Sequence, residues 1–273
     1  MVRRVVLIVA DGLRADAVTP STMPSLYSLG WDYARARLAT TVRPSVTVAA
    51  LASLATGVGP GTHGLVDPGL GFLKGLTRLK PLARELWRAG IRAEVVGSEL
   101  DVSRRRITRA LASAAGISSI ELHGGDAVDT AGRARTRLSQ TGRSFLLVYL
   151  KDCDYAGHEH GWMSPEYLAA ASVVDTAIGG LATVADRNLV LVTADHGGGG
   201  IVPNDHDGLH PLNESIPLVV AGPCVIRHRV IHTTVSILDV PATILWAFGL
   251  EVPASYEGRI LDEAFFASRA ALA

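Results

Sequence analysis

Five short runs of this chain are apolar on both faces: Val5 to Val9, Ala93 to Val96, Phe145 to Leu150, Leu189 to Thr193 and Pro217 to Ala221. A strand with one wet face alternates polar and apolar residues, whereas runs like these need cover on both sides. Between them lie stretches of helical pattern: Pro81 to Ala89, Ile107 to Ala115, Ala127 to Leu138, Pro165 to Val184 and Leu238 to Phe248. Alternating buried strands and helices predict an α/β fold, a doubly wound, mostly parallel sheet flanked by helices. With 273 residues, 48% of them hydrophobic, the chain can bury the core of one sizeable domain spanning residues 1–273. No repeat or low-complexity linker divides it. The Gly-rich stretch from Val66 to Leu79 is the expected loop over a site.

In open α/β sheets, ligands bind beyond the carboxyl ends of the strands. The first run ends at Ala10 and is followed by Asp11-Gly12. The run ending at Leu150 is followed by Lys151-Asp152-Cys153-Asp154-Tyr155-Ala156-Gly157-His158, and the run around Leu191 by Ala194-Asp195-His196-Gly197. An Asp after a strand is commonly a cap or turn residue, and a lone His is commonly a hydrogen-bonded structural residue. Convergence favours chemistry here. Five of the nine histidines lie between residues 158 and 210, beside acidic residues at predicted strand ends. Buried carboxylates are costly unless paired or bound to metal, and mixed Asp and His donors suit Zn²⁺ or a similar divalent ion.

Several function classes are disfavoured. The formal net charge is zero, so no long-range field draws the protein to nucleic acid or an anionic membrane. Arg104-Arg105-Arg106 reads as a solvated helix face in preference to a phosphate-polymer patch. The two cysteines, Cys153 and Cys224, imply no disulfide framework. The N-terminal MVRRVVLIVADGL is basic and then apolar, but the apolar run is short and Asp11 interrupts it. It reads as a first core strand, with a cytoplasmic location expected. No run reaches the roughly 18 apolar residues of a membrane span.

Residues 48 to 55 favour helix and are followed by Gly57, a good C-cap. Thr47 stands where an N-cap belongs. It can be a cap alone, or a hydroxyl at a helix N-terminus, where free amides and the helix dipole attract phosphate.

At this point the chain resembles the alkaline phosphatase superfamily, near its type I phosphodiesterase and nucleotide pyrophosphatase branch. The motifs occur in the family's order over almost the whole chain: Asp11-Gly12; Pro44-Ser45-Val46-Thr47 with Thr56-Gly57 and Thr62-His63-Gly64; Asp154-Tyr155-Ala156-Gly157-His158; Thr193-Ala194-Asp195-His196-Gly197; and Ile216-Pro217-Leu218 through Leu238-Asp239-Val240-Pro241. The resemblance implies a metal-dependent phosphoester hydrolase, a phosphatase or phosphodiesterase, with Thr47 as nucleophile. It implies two divalent ions, Zn²⁺ in the first instance and Mn²⁺ as the alternative. One would take Asp11, Thr47, Asp195 and His196; the other would take Asp154, His158 and a later histidine, His206 in preference to His210. His63 is expected to pin a turn. Many members carry Asn three residues after the nucleophile, where it contacts a phosphoryl oxygen; here Ala50 occupies that place. The Val48 amide and Lys151 are the candidates for that contact, and the choice between monoester and diester stays open.

The expected partner is a small-molecule phosphoester, without nucleic-acid polymer or membrane; the sequence carries no signal for oligomeric state. Phosphomutases share these metal motifs but carry an inserted cap, for which residues 66 to 153 leave little room. An inactive phosphate-binding member of the same fold is the remaining rival. Sulfatases need a Cys/Ser-Xaa-Pro-Xaa-Arg frame, which does not occur. Trp162 and Phe72 are candidate aromatic contacts to substrate.

Overall fold

Strand β1 (Arg4–Ala10) runs through the centre of the main sheet, and every residue after Arg4 in it is buried. The computed structural model describes residues 2–66, 79–98, 112–113 and 115–266. The loop expected over 66–79, the helix expected over 107–115, Arg104 to Arg106 and Phe72 lie wholly or largely outside the described residues.

The remaining strands are β2 (Ala34–Ala36), β3 (Ala39–Thr40), β4 (Arg92–Ser98), β5 (Ser119–His123), β6 (Ser144–Leu150), β7 (Leu189–Thr193), β8 (Ser215–Ile216), β9 (Leu218–Ala221), β10 (Arg229–Ile231) and β11 (Val235–Ser236). Eight of them form one sheet in the order β10-β2-β9-β7-β1-β6-β4-β5. The block from β7 to β5 is parallel throughout. The apolar run at β9 forms a strand as expected, but it lies antiparallel to β7 and to β2. A small sheet of order β11-β3-β8 lies apart.

The helices are α1 (Pro24–Asp32), α2 (Thr47–Thr56), α3 (Pro60–His63), α4 (Leu82–Arg88), α5 (Ala127–Leu138), α6 (Asp152–His160), α7 (Pro165–Ala182), α8 (Pro211–Glu214) and α9 (Asp239–Ala247). Their boundaries follow local chemistry. Asp126 accepts a hydrogen bond from the Asp129 amide at 2.9 Å and so caps α5. Ser164 caps α7 through the Tyr167 amide at 3.1 Å, and Pro165 occupies the first turn, where no amide is needed. Helix α7 packs on α1, α5 and α6, while α2, α4 and α9 pack on one another. These helices cover the sheet, and Val6, Ile8, Leu146, Val148 and Leu191 are sealed within it. Fully burying one such side chain is worth about 1.5–3 kcal/mol. Among the described residues no helix is long and apolar enough to cross a membrane.

One local expectation is corrected. Val46, extended at φ −117° and ψ 145°, occupies the N-cap position of α2, so Thr47 is the first helical residue. The Thr47 side chain makes no capping bond. Gly57 ends the helix in the left-handed conformation, at φ 71°, as its position predicts.

Candidate metal centre

Parallel pairing sets the site. Ala10 lies opposite Leu150 and Val9 opposite Thr193, so the residues after β1, β6 and β7 emerge on one rim. The Asp11 amide continues the ladder by donating to Leu150 O at 2.8 Å, and the Asp154 amide donates to Asp11 O at 3.0 Å. Gly12 is required at this crossing. Its φ is 67°, and a Cβ there would come within 2.8 Å of the Asp154 Cα. Asp154 and His158 lie on α6 rather than in a loop. Their i, i+4 spacing puts both on one helix face, with His158 Nε2 3.5 Å from Asp154 Oδ1.

The other residues converge on His196 Nε2. It lies 3.1 Å from Thr47 Oγ1, 3.2 Å from Asp11 Oδ1, 3.7 Å from Asp195 Oδ2 and 4.0 Å from Asp154 Oδ1. His206 stacks on His196 with ring centroids 3.9 Å apart, and its Nε2 is 3.9 Å from Asp154 Oδ1. Among the described residues three groups have donor atoms close enough to hold an ion: Asp11, Asp195 and His196, and Asp154, His196 and His206, which overlap at His196, and the more exposed Asp205, His206 and Asp207. His158 adjoins the group of Asp154, His196 and His206, its ring 5.0 Å from that of His206.

Each imidazole is oriented by a backbone carbonyl. His196 Nδ1 meets Gly197 O at 2.8 Å, His206 Nδ1 meets Ser45 O at 2.9 Å and His158 Nδ1 meets Asn204 O at 3.0 Å. A carbonyl oxygen only accepts, so each Nδ1 carries the proton and each Nε2 turns a lone pair toward the carboxylates. Asp11 Oδ1, Asp154 Oδ1 and Asp195 Oδ2 are buried with no hydrogen-bond partner. Bare acceptors thus face bare acceptors at the buried floor of the site, an arrangement that positive charge at its centre would relieve. Mixed nitrogen and oxygen donors of this kind fit Zn²⁺ or a similar divalent ion.

The electrostatics agree. Burial, and then the charge of Asp154, push the Asp11 carboxyl up to about 8. Burial and Asp11 raise Asp195 well above the usual carboxylate range. His206 is pushed down to about 4 by burial and then by His196. Burial and the Asp11 charge also raise the Tyr149 phenol, keeping its hydroxyl a donor.

The other expected residues separate clearly. Val48 is the second residue of α2, where a backbone amide has no partner within its helix. Lys151 lines a cleft of about 440 Å³ together with Asp154, Tyr155, His158 and Glu159. Ala50 is fully buried. His210 is not in the cluster; its Nδ1 accepts from the Leu212 amide at 3.2 Å and caps α8. His63 bonds Ser53 Oγ at 3.0 Å and the Leu65 amide at 2.9 Å, and so fixes the turn after α3. Trp162 is no surface contact for substrate. It is 6% exposed, donates to Gly12 O at 2.8 Å, and sets its ring edge-on to His158 and His206. Sequence reasoning missed Tyr149, whose hydroxyl donates to Asp11 Oδ2. Its only signal was a polar-tipped aromatic at the end of an apolar run.

A mostly parallel sheet that gathers carboxylates, imidazoles and a hydroxyl on one rim places the protein in the alkaline phosphatase superfamily. More narrowly, the chain belongs to the type I phosphodiesterase / nucleotide pyrophosphatase family, whose sequence profile matches residues 5–230. Phosphopentomutase from Syntrophotalea carbinolica is 29% identical over 173 residues, covering 63% of this chain and 40% of that protein. The match thus spans less than half the length of that curated relative. Human ectonucleotide pyrophosphatase / phosphodiesterase 5 superposes with a TM-score of 0.74 at 14% identity, covering 96% of this chain and 100% of that one. The phosphonate monoester hydrolase SpPMH from Silicibacter pomeroyi gives 0.72 at 17% identity, covering 94% and 75%. At those identities the likeness is one of fold.

Proposed function

We propose that the protein is a metal-dependent phosphoester hydrolase with Thr47 as nucleophile and two divalent ions, Zn²⁺ in the first instance. Asp11, Thr47, Asp195 and His196 would hold one ion, and Asp154, His158 and His206 the other. The observation that carries this reading is the set of three partnerless carboxylate oxygens facing imidazole Nε2 lone pairs, with the Thr47 hydroxyl 3.1 Å from His196 Nε2. Ions bound there would supply Lewis acidity and lower the pKa of hydroxyls they coordinate.

The chain's own residues do the rest. Thr47 projects its hydroxyl from the first turn of α2, and the free amides of that turn, Val48 among them, face a phosphoryl oxygen. Attack by Thr47 Oγ1 on phosphorus forms phosphothreonine and expels the leaving group. Hydrolysis then regenerates the hydroxyl. Lys151, in the cleft beside Asp154 and His158, is the further candidate for the phosphoryl-oxygen contact that Ala50 cannot make.

A comparison of nitrophenyl phosphate with its diester analogues and a nucleotide panel, on zinc-loaded and chelated protein, tests this reading. Turnover is expected only with metal; full turnover after exhaustive chelation contradicts it. The phosphopentomutase match motivates a second reading, transfer of the phosphoryl group within a sugar phosphate. Product analysis on a sugar phosphate separates the two, since hydrolysis would release the free sugar and inorganic phosphate, whereas a mutase would release only the isomer.

A further inference from the structure

Asp11 and Asp195 are held in the same way by different donors. Asp195 Oδ1 accepts two backbone amides, Gly12 N at 3.2 Å and His196 N at 3.0 Å, while its Oδ2 has no partner. Asp11 Oδ2 accepts the Tyr149 hydroxyl, while its Oδ1 has no partner and lies 3.2 Å from His196 Nε2. Each carboxylate thus has one oxygen pinned and one turned bare into the cluster. For Asp195 the pin is main chain. For Asp11 it is one side chain.

Tyr149 is built for that task. It is the penultimate residue of β6, 5% exposed, opposite Val9 on one neighbouring strand and Gly97 on the other. Gly97 leaves space beside it, since a Cβ there would come within 3.1 Å of the Tyr149 Cβ. A buried phenol needs a hydrogen-bond partner, and Asp11 supplies one.

We propose that Tyr149 is a positioning residue that fixes Asp11 as a one-oxygen metal ligand. It thereby sets the affinity of the half-site formed by Asp11, Thr47, Asp195 and His196, and not that of the half-site of Asp154, His158 and His206. A carboxylate free to turn about its last bond can swing or chelate with both oxygens; a donor on Oδ2 removes those alternatives and leaves Oδ1 aimed at the ion. The inference rests on the two-metal reading above and assigns a specific consequence to one hydroxyl.

The test is Tyr149→Phe in the full chain, stripped of metal and titrated with Zn²⁺ against a chromophoric chelator. The unaltered protein is expected to take up two equivalents. In the variant one equivalent should weaken by about 10–100-fold, the usual effect of losing a group that orients a ligand, while the other keeps its affinity. Titration with Co²⁺ should show a changed visible spectrum for the weakened equivalent alone. In an Asp11→Asn background, Tyr149→Phe should not alter the remaining equivalent. Two equivalents at unchanged affinity overturn the inference. So does equal weakening of both, or a variant that does not fold, because either makes the hydroxyl a support of the fold. If the unaltered protein binds no metal, the two-metal reading itself fails, and the two failures are distinct.

Discussion

The hydroxyl oxygen of Thr47 lies 3.1 Å from Nε2 of His196, although 149 residues separate them along the chain. The pairing comes from two independent local structures. Thr47 opens α2, whose N-terminal dipole favours an anion at its hydroxyl. His196 follows β7, with Nδ1–H committed to Gly197 O at 2.8 Å. Its Nε2 is therefore open to the hydroxyl and to the Asp11, Asp154 and Asp195 oxygens around it. The proposed nucleophile and the candidate metal ligands thus meet at one point of space, as the proposed double displacement on phosphorus requires.

The two histidines of the 201–210 loop should behave differently. His206 Nε2 faces Asp154, whereas His210 only caps a short helix. His206→Ala should lower metal affinity and turnover by more than about 10–100-fold, since a ligand matters more than a group that orients one. His210→Ala should cost about 1 kcal/mol of stability, the usual value of a cap, with turnover largely kept. Metal titration and steady-state rates on both variants check the order, and a reversed order contradicts this ligand set.

The stability of the metal-free protein should fall as pH rises above neutrality. Asp11 keeps its proton in the fold up to about pH 8, against an ordinary 3.8, so its contribution is lost as pH rises between those values. His206 acts oppositely: its pKa is about 4 in the fold against an ordinary 6.5, so stability is lost as pH falls across that window. Below pH 6.5 the two slopes oppose each other. From 6.5 to 8 His206 no longer opposes Asp11, and raised Asp195 adds in the same sense as Asp11. Each such group contributes at most about 1.4 kcal/mol per pH unit. Thermal melts of chelated protein should show lower stability at pH 8 than at 6.5, and saturating Zn²⁺ should stabilise more at pH 8. A rise in chelated stability across that range contradicts the assignment.

Gly157 offers a test of the packing behind the histidines. An exposed helical Gly→Ala substitution stabilises by about 0.5–1 kcal/mol. Here a Cβ would meet the Trp162 ring at 2.5 Å. Overpacking of that kind costs about 1–3 kcal/mol. Gly157→Ala should therefore destabilise by up to about 2 kcal/mol and weaken metal binding, because Trp162 backs His158 and His206. Urea unfolding measures the sign; net stabilisation contradicts this packing.

The central sheet was legible because β1, β4, β6 and β7 are buried on both faces and leave an unbroken apolar signal. The α5 boundaries, Ala127 and Leu138, were legible from its cap and pattern. The short strands β2, β3, β8, β10 and β11 were not, because two or three residues carry no periodicity. Strand β5 was missed because Ser119 to His123 are only half-buried and mix polar with apolar residues. The helix bearing Asp154 and His158 was hidden because its sequence is polar, chosen for the rim it lines more than for a core face. Asp11, Asp195 and His196 could be read from strand ends. The roles of Tyr149 and Trp162 could not, because each depends on contacts between segments far apart in the chain.

The most direct measurement of the central claim is turnover of purified, metal-loaded Thr47→Ala, with the unaltered protein probed for phosphothreonine by mass spectrometry. Thr47 makes no capping bond in α2, so loss of a cap cannot account for a dead variant. The predicted result is a folded variant that keeps the Asp and His ligands and loses several orders of magnitude in turnover. Thr47→Ser should keep part of the activity, because it keeps the hydroxyl. Near-normal turnover by Thr47→Ala would contradict the account, since the attacking oxygen would then have to come from water and the double displacement would be abandoned.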